Sequence, residues 1–382
     1  MKKILFADSH YFDEYFVLGQ HQYATLFADH SWDVAFVPNP LSPFNVLLGK
    51  NKKGILARIL NHIRGGDYNK RHLWYYIPFT FIPFHNHTVF NKEWFLNNYY
   101  MFSLPSIRST INKKGFSSVD VLWLGTAHQK FWLNILDYKC CIYRIADNFK
   151  NSDVLIRAQE TVTESADIIL VTSKVLLGRL EQKFRSKKLV YIPNGVDLSN
   201  FIRSHYRRPR ELQNLNNKIA LYVGAIGEWF DQKFLMNVAK NCPEISFVII
   251  GVDGCRKMRN ISEKNVHFLG PRPYESIPDY IYYSDCGIIP FDNSEIVQSI
   301  SPIKMYEFFS LGKPVISSAW EELRLINAPC FLATNANEFT DILKDKNTYR
   351  QNSQSLIDYA KLNTWSGRYF KILEIIDNYL GS

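Results

Sequence analysis

The densest chemistry in this 382-residue chain lies in one run, Ser301-Pro302-Ile303-Lys304-Met305-Tyr306-Glu307-Phe308-Phe309-Ser310-Leu311-Gly312-Lys313-Pro314-Val315-Ile316. Ser301 reads as a helix N-cap and Pro302 as the first helical residue, while Gly312-Lys313-Pro314 stops the helix before an apolar strand. A helix start leaves N–H groups unpaired at the positive end of the dipole, which suits an anion such as a diphosphate. Lys304 in the first turn opposes that dipole. A phosphate between the ammonium and the amides relieves the opposition. Glu307 follows one turn later on the same face, where its carboxylate can accept hydrogen bonds from ribose hydroxyls. The plainer reading is an amphipathic helix with Lys304 in solvent.

Such a helix needs a sheet to hold it, and the chain is long enough for two. Its 46% hydrophobic and 21% charged residues are those of a globular protein, and its length exceeds one ordinary core. Short apolar strands alternate with helical stretches from the N-terminus. Ile4 to Ala7 reads as a strand, Gln20 to His30 as a helix, and Asp33 to Val37, Val119 to Leu124, Cys141 to Ile145, Ile168 to Val171 and Leu189 to Ile192 as strands. Fully apolar strands separated by helices predict a parallel sheet covered on both faces. The polar, arginine-rich stretch 198 to 217 reads as a linker. A second series follows, with strands Ile219 to Val223, Ile245 to Ile250, Val266 to Leu269 and Gly287 to Ile289, and a helix from Asp231 to Cys242. Two doubly wound sheets are expected to face a cleft at the carboxyl ends of their strands.

No stretch reaches the roughly 18 to 20 apolar residues of a membrane span. Asp8 and His10 interrupt the N-terminal apolar run too early for a signal peptide. Cys140 and Cys141 point to opposite faces of a strand, a poor metal site and a poor disulfide, and a cytoplasmic location follows. The net charge of +9 is uneven: Lys50 to Arg71 carries seven basic residues against one acid, Asp67. Trp74, Tyr75, Tyr76, Phe79, Phe81 and Phe84 come next. Basic residues beside aromatics suit the anionic inner face of a cell membrane, giving a peripheral protein. The alternative is a solvated basic loop followed by a core strand. No nucleic-acid motif accompanies the charge.

The run around Lys304 and Glu307 resembles the nucleotide-binding helix of GT-B glycosyltransferases that build bacterial surface polysaccharides. Three more stretches agree in order: Tyr191-Ile192-Pro193-Asn194-Gly195-Val196-Asp197, Tyr222-Val223-Gly224-Ala225-Ile226-Gly227-Glu228-Trp229-Phe230-Asp231, and Asn265-Val266-His267-Phe268-Leu269-Gly270 with Tyr274 beyond. Trp365-Ser366 and Arg368 resemble that fold's last helix. The likeness covers about 190 residues well, and is most similar to teichuronic-acid and xanthan-type transferases. It implies an α/β fold of two Rossmann-like domains facing a central cleft. Residues 1–200 with 365–382 would form the acceptor domain, the C-terminal helix returning to it, and 201–364 the nucleotide-sugar domain. Gly224, Glu228, Phe268, Tyr274, Ser301, Lys304, Met305 and Glu307 would then hold a nucleotide diphosphate sugar, by family habit a UDP-sugar.

One departure bears on mechanism. Many retaining GT-B enzymes carry a glutamate eight positions before the ribose-binding one, and here that position is Ser299. Inversion is therefore the expectation, and it needs a base on the acceptor side. Asp147, at the end of Tyr143-Arg144-Ile145-Ala146-Asp147-Asn148, resembles the catalytic aspartate of xanthan-type transferases. Its plain alternative is a helix cap. His10, in the loop Asp8-Ser9-His10-Tyr11-Phe12-Asp13-Glu14, is a second candidate base. No Asp-x-Asp pair stands ready for a metal; helix amides and Lys304 can meet the leaving diphosphate, so no cofactor or metal is required. The acceptor would be a glycan or lipid-linked glycan. A sugar-nucleotide 2-epimerase or a non-catalytic glycan-binding protein of the same fold are the rival expectations.

Overall fold

The computed structural model describes residues 1–12, 14, 17–44, 52–70, 72–83, 92–146, 153–215, 217–350 and 352–381. The chain divides into two compact units: Met1–Thr172 with Leu176–Ile192 and Tyr369–Ser382, and Pro193–Arg368 with Ser173–Val175. Residues 193 to 200 thus go with the second unit, as do 365 to 368.

The first unit holds an eight-stranded sheet ordered β3-β4-β2-β1-β5-β6-β7-β8. Its strands are β1 (Lys3–Ala7), β2 (Asp33–Val37), β3 (Asp67–Lys70), β4 (Leu73–Tyr75), β5 (Ser118–Leu124), β6 (Asp137–Ile145), β7 (Ile168–Val171) and β8 (Leu189–Tyr191). All neighbours pair in parallel except β3 with β4. The central strand β1 is apolar on both faces because both are covered, as parallel sheets require. Phe6 pairs with Phe36 and Trp123 in register, and the ring of Phe27 on helix α1 (Gly19–Asp29) packs on the same cluster. Tyr369 meets Phe27 at a ring distance of 4.9 Å, and Asp377 pairs with Lys2 at 2.5 Å. The last residues of the chain therefore close over α1 and β1. The order of connections reverses between β1 and β5, which opens a crevice at their carboxyl ends.

The second unit holds a six-stranded parallel sheet ordered β11-β10-β9-β12-β13-β14. The strands are β9 (Lys218–Val223), β10 (Ile245–Ile250), β11 (Val266–Gly270), β12 (Cys286–Ile289), β13 (Val315–Ser318) and β14 (Phe331–Ala333), and the reversal falls between β9 and β12.

Three expectations are corrected. The stretch 198 to 217 is no free linker: Phe201 and Leu212 are buried in the second core, and Arg208 donates to the carbonyls of Leu212 and Leu215. Trp74, Tyr75 and Tyr76 face the first core rather than a membrane, because 73–75 forms a sheet strand. Phe81 alone of the described aromatics in that group is exposed, while Lys50, Arg71 and Phe84 lie outside the described residues. The basic segment itself forms helix α2 (Lys52–Ile63).

Candidate functional site

In the second unit the sequence run around Lys304 folds as helix α4 (Ile303–Ser310), following helix α3 (Gln232–Asn241) in the chain. Its N-cap is Pro302 in an extended conformation, one residue later than the sequence suggests. The hydroxyl of Ser301 is thereby released from capping. It is buried and has no hydrogen-bond partner in the structure, while the Ser301 carbonyl accepts from Asn194 Nδ2 at 2.7 Å. A buried hydroxyl left unsatisfied costs free energy unless a ligand completes it.

Glu307 is wholly buried. Lys304 Nζ lies 2.9 Å from its Oε2 and 3.1 Å from its Oε1. Tyr274 donates to Oε1 at a long 3.4 Å, and the Lys304 ammonium stands 5.5 Å from the Tyr274 ring centre. Burial, then the charges of Glu307 and Asp197, push the Tyr274 phenol well above its ordinary range, so it stays a proton donor. A buried carboxylate is tolerated only when paired, and Lys304 supplies the pairing here. A diol and a diphosphate arriving together would redistribute these contacts, the diol to Glu307 and the phosphates to Lys304 and the helix amides.

The segment from Pro193 to Phe201 supports this cluster, a role the sequence reading missed. Asp197 caps the helix Leu198–Phe201, and the Phe201 ring meets Tyr274 edge to face at 5.7 Å. Val196 bridges to Thr364, and a Cβ on Gly195 would sit 2.8 Å from the Thr364 carbonyl carbon. The loop after β9 is equally constrained: Gly224 N–H donates to Ile250 O, and a Cβ on Gly251 would stand 1.7 Å from Gly224 O. Lys257 clamps the next turn by donating to the carbonyls of Glu228 and Phe230.

Of the expected nucleotide residues, the structure brings together Tyr274, Ser301, Lys304 and Glu307. Gly224 lies at the carboxyl end of β9 and the Glu228 side chain is exposed. Met305 is a core residue beside Tyr306 and Phe308. Phe268 packs against the cluster on the other face of the sheet, with Phe247 and Ile249.

In the first unit a polar network fills the crevice between β1 and β5. Gln129 Nε2 donates to Asp8 O at 2.5 Å and to Asn39 Oδ1 at 3.0 Å, and Arg144 Nη1 donates to Gln20 Oε1 at 2.8 Å. Gly125 must be glycine, since a Cβ would meet Asp8 Oδ2 at 2.1 Å. His10 follows β1 in the same region. Its backbone N–H donates to Asp8 Oδ1 at 2.9 Å, and its Nδ1 lies 3.2 Å from Glu14 Oε2. In the tautomer with its proton on Nδ1, the ring donates to that carboxylate. His21, by contrast, is structural: burial pushes its pKa down, and its Nδ1 accepts from Leu18 N–H at the start of α1. Asp147 lies outside the described residues, one position beyond Ala146. Among the described residues no three His, Cys, Asp or Glu side chains converge as a metal site.

Residues 217–345, within the second unit, match the family described as Glycosyl transferases group 1. A candidate teichuronic acid biosynthesis glycosyltransferase, TuaH of Bacillus subtilis (strain 168), is 27% identical over 172 residues, a match spanning 43% of this chain and 43% of that protein. Less than half of that relative is therefore covered. Sucrose-phosphate synthase from Thermosynechococcus elongatus superposes with a TM-score of 0.73 at 14% identity, covering 100% of both chains. A trehalose-6-phosphate structure from E. coli bound with UDP-2-fluoro glucose superposes with a TM-score of 0.66 at 9% identity, covering 98% of this chain and 99% of that one. The chain thus shares its two-domain GT-B fold with both solved structures.

Proposed function

We propose that this chain, with a group 1 glycosyltransferase domain inside a GT-B fold, is a glycosyltransferase of surface polysaccharide assembly. It moves a sugar from a nucleotide diphosphate donor, a UDP-sugar, to a glycan or lipid-linked glycan. The single observation that carries the donor assignment is the cluster at the start of α4. There an unsatisfied Ser301 hydroxyl, a buried Glu307 and a mostly covered Lys304 meet at the first turn of α4. Glu307 holds the ribose hydroxyls, and Lys304 with the amides holds the diphosphate and takes up the charge that develops as it leaves. The bound E. coli structure, which carries a UDP-sugar analogue on the same fold, supports uridine as the base.

The second unit is assigned the donor and the first the acceptor. His10, polarised by Glu14, takes the acceptor hydroxyl proton as the oxygen attacks the anomeric carbon; Asp147 is the alternative base. Ser299 supports inversion: it is buried, its hydroxyl donates to Ile296 O at 3.2 Å, and no carboxylate occupies its position. The protein works in the cytoplasm, on the inner face of the membrane where lipid-linked acceptors are anchored.

Calorimetric titration with UDP and the other nucleoside diphosphates tests the donor reading. Selective UDP binding, lost in Glu307→Ala, is expected; no binding of any of them would remove it. The anomeric coupling constant of the product, read by NMR, tests inversion, and an α-linked product from an α-linked donor would refute it.

A further inference from the structure

Strand β11 runs into a loop that one side chain holds in shape. Arg272 folds back over the residues before it. Its Nη1 donates to the carbonyls of Leu269 at 2.5 Å and Pro271 at 3.1 Å, its Nε to the Tyr280 hydroxyl at 3.1 Å, and its Nη2 to Glu211 Oε1 at 2.8 Å. Four of the five guanidinium N–H groups are thereby placed, and a planar fork is what reaches two carbonyls and a carboxylate together. Glu211 belongs to the stretch 198 to 217, so that stretch supplies the counter-charge. The loop bends at Gly270, whose φ of 71° lies in the left-handed region and whose carbonyl accepts from Gly251 N–H at 3.1 Å.

The brace decides which backbone groups the loop shows. In a trans peptide the C=O and the N–H point in opposite directions. With Pro271 O turned onto the guanidinium, the N–H of Arg272 in the same peptide faces the other side. There it makes no hydrogen bond among the described residues. Gly270 borders open space, since a Cβ on it would meet nothing within 4 Å.

The same loop leads into the donor cluster. Two residues after Arg272, Tyr274 donates to Glu307 Oε1, so residues 269 to 273 adjoin the carboxylate assigned to the ribose hydroxyls. A nucleotide carries its base and its phosphates at opposite ends of the ribose. With the phosphates at Lys304 and the start of α4, the base falls toward the loop before Tyr274.

We infer that Arg272 is a positioning residue for nucleobase selection: it holds the carbonyls of Leu269 and Pro271 away, so that the loop meets the base with an N–H. Resting on the donor assignment above, this role adds base selectivity to it. An N–H pairs with a ring carbonyl, which uracil has, and opposes the exocyclic amino group that cytosine carries at the same place. A mismatched pair of donors leaves both unsatisfied, which is how a site built to hydrogen-bond rejects an analogue. Arg272 acts through the backbone that it holds.

Calorimetric titration of the full chain and of Arg272→Ala with UDP and CDP tests this. The parent chain is expected to prefer UDP. In Arg272→Ala the two carbonyls are released and can accept from an amino group. UDP affinity should then fall about tenfold while CDP affinity holds or rises, so the UDP-to-CDP ratio drops by at least about tenfold. Arg272→Lys keeps the charge beside Glu211 but lacks the fork, and its ratio should drop about threefold. The lysine variant carries the test if urea unfolding shows the alanine variant to be unfolded. An equal loss of UDP and CDP affinity, which a merely structural brace would give, would overturn the inference, as would a parent-like ratio in both variants. A parent chain that binds CDP as tightly as UDP would overturn it and leave the donor site standing. A parent chain that binds no nucleoside diphosphate would remove the donor assignment and the inference with it.

Discussion

Two carboxylates in this chain hold a nitrogen three or four positions earlier, one pair on a helix and one in a loop, and they do so in opposite surroundings. Glu307 grips Lys304 with no water contact, whereas Glu14 meets His10 where the histidine side chain is 42% exposed. A charge sealed in protein needs its partner at all times, because an isolated buried ion costs several kcal/mol. A histidine open to solvent can gain and lose a proton at little cost. The first pair shuts its carboxylate away from water, and the second leaves its imidazole open to it.

Replacing the base should give the largest effect. His10→Gln should lower turnover by about 100-fold or more with UDP affinity unchanged, and Glu14→Gln by less, since it removes the orienting partner only. Asp147→Asn is the companion measurement. If the loss falls on Asp147 and spares His10, the solvent-facing pair is structural and the comparison breaks.

Next in size is the sealed pair. Glu307→Ala should weaken UDP binding by roughly 1.5–3 kcal/mol, the range for a charged hydrogen bond, as read by calorimetry. An unchanged affinity with an intact fold would take Glu307 out of the site. Ser301→Ala separates binding from folding more cleanly. Its hydroxyl has no partner in the free chain, so the midpoint of urea unfolding should not fall, while UDP affinity should drop by roughly 0.5–1.5 kcal/mol.

The smallest effect concerns a buried histidine of the first unit. Burial pushes the His128 imidazole down to about 4, and His21 shifts the same way. Between about 6.5 and about 4 the unfolded chain binds more protons than the folded one, so stability falls as pH drops through that window. His128→Asn should flatten the fall by about 1 kcal/mol between neutral and mildly acid pH, measured by urea unfolding. A parent-like slope would place the burden on His21 or elsewhere.

Much of this was legible in the sequence. The apolar strands of both sheets show in their composition because parallel strands are buried on both faces, and the spacing of Lys304 and Glu307 places them on one side of a helix. Tyr274 joined them because it lies where the motif order puts it. The rest was hidden for identifiable reasons. Trp74 lies in, and Tyr76 directly after, the core strand that the sequence offered as the alternative to a membrane belt, and three residues give too short a period to decide between the two. Asn194 reaches Ser301 across 107 positions of chain, a contact that local pattern does not encode. Arginines at 203 to 210 read as solvent-loving linker, yet Arg203 and Arg208 spend their donors on nearby carbonyls.

The Val196–Thr364 bridge has a consequence for assembly of the chain. The second unit leaves the first at Pro193 and gives the chain back at Arg368, so it is a cassette inserted into another domain. The bridge pins the two ends of that cassette side by side. Once it has folded, the final helix α5 (Trp365–Leu380) hangs from a tether of a few residues rather than from a roughly 170-residue excursion. Each doubling of a flexible loop costs about 0.6 kcal/mol, so about five doublings are spared, near 3 kcal/mol of closure entropy. The first unit's last piece is thus delivered by the prior folding of its guest, and Gly195, which permits the close backbone approach, is the hinge pin of that delivery.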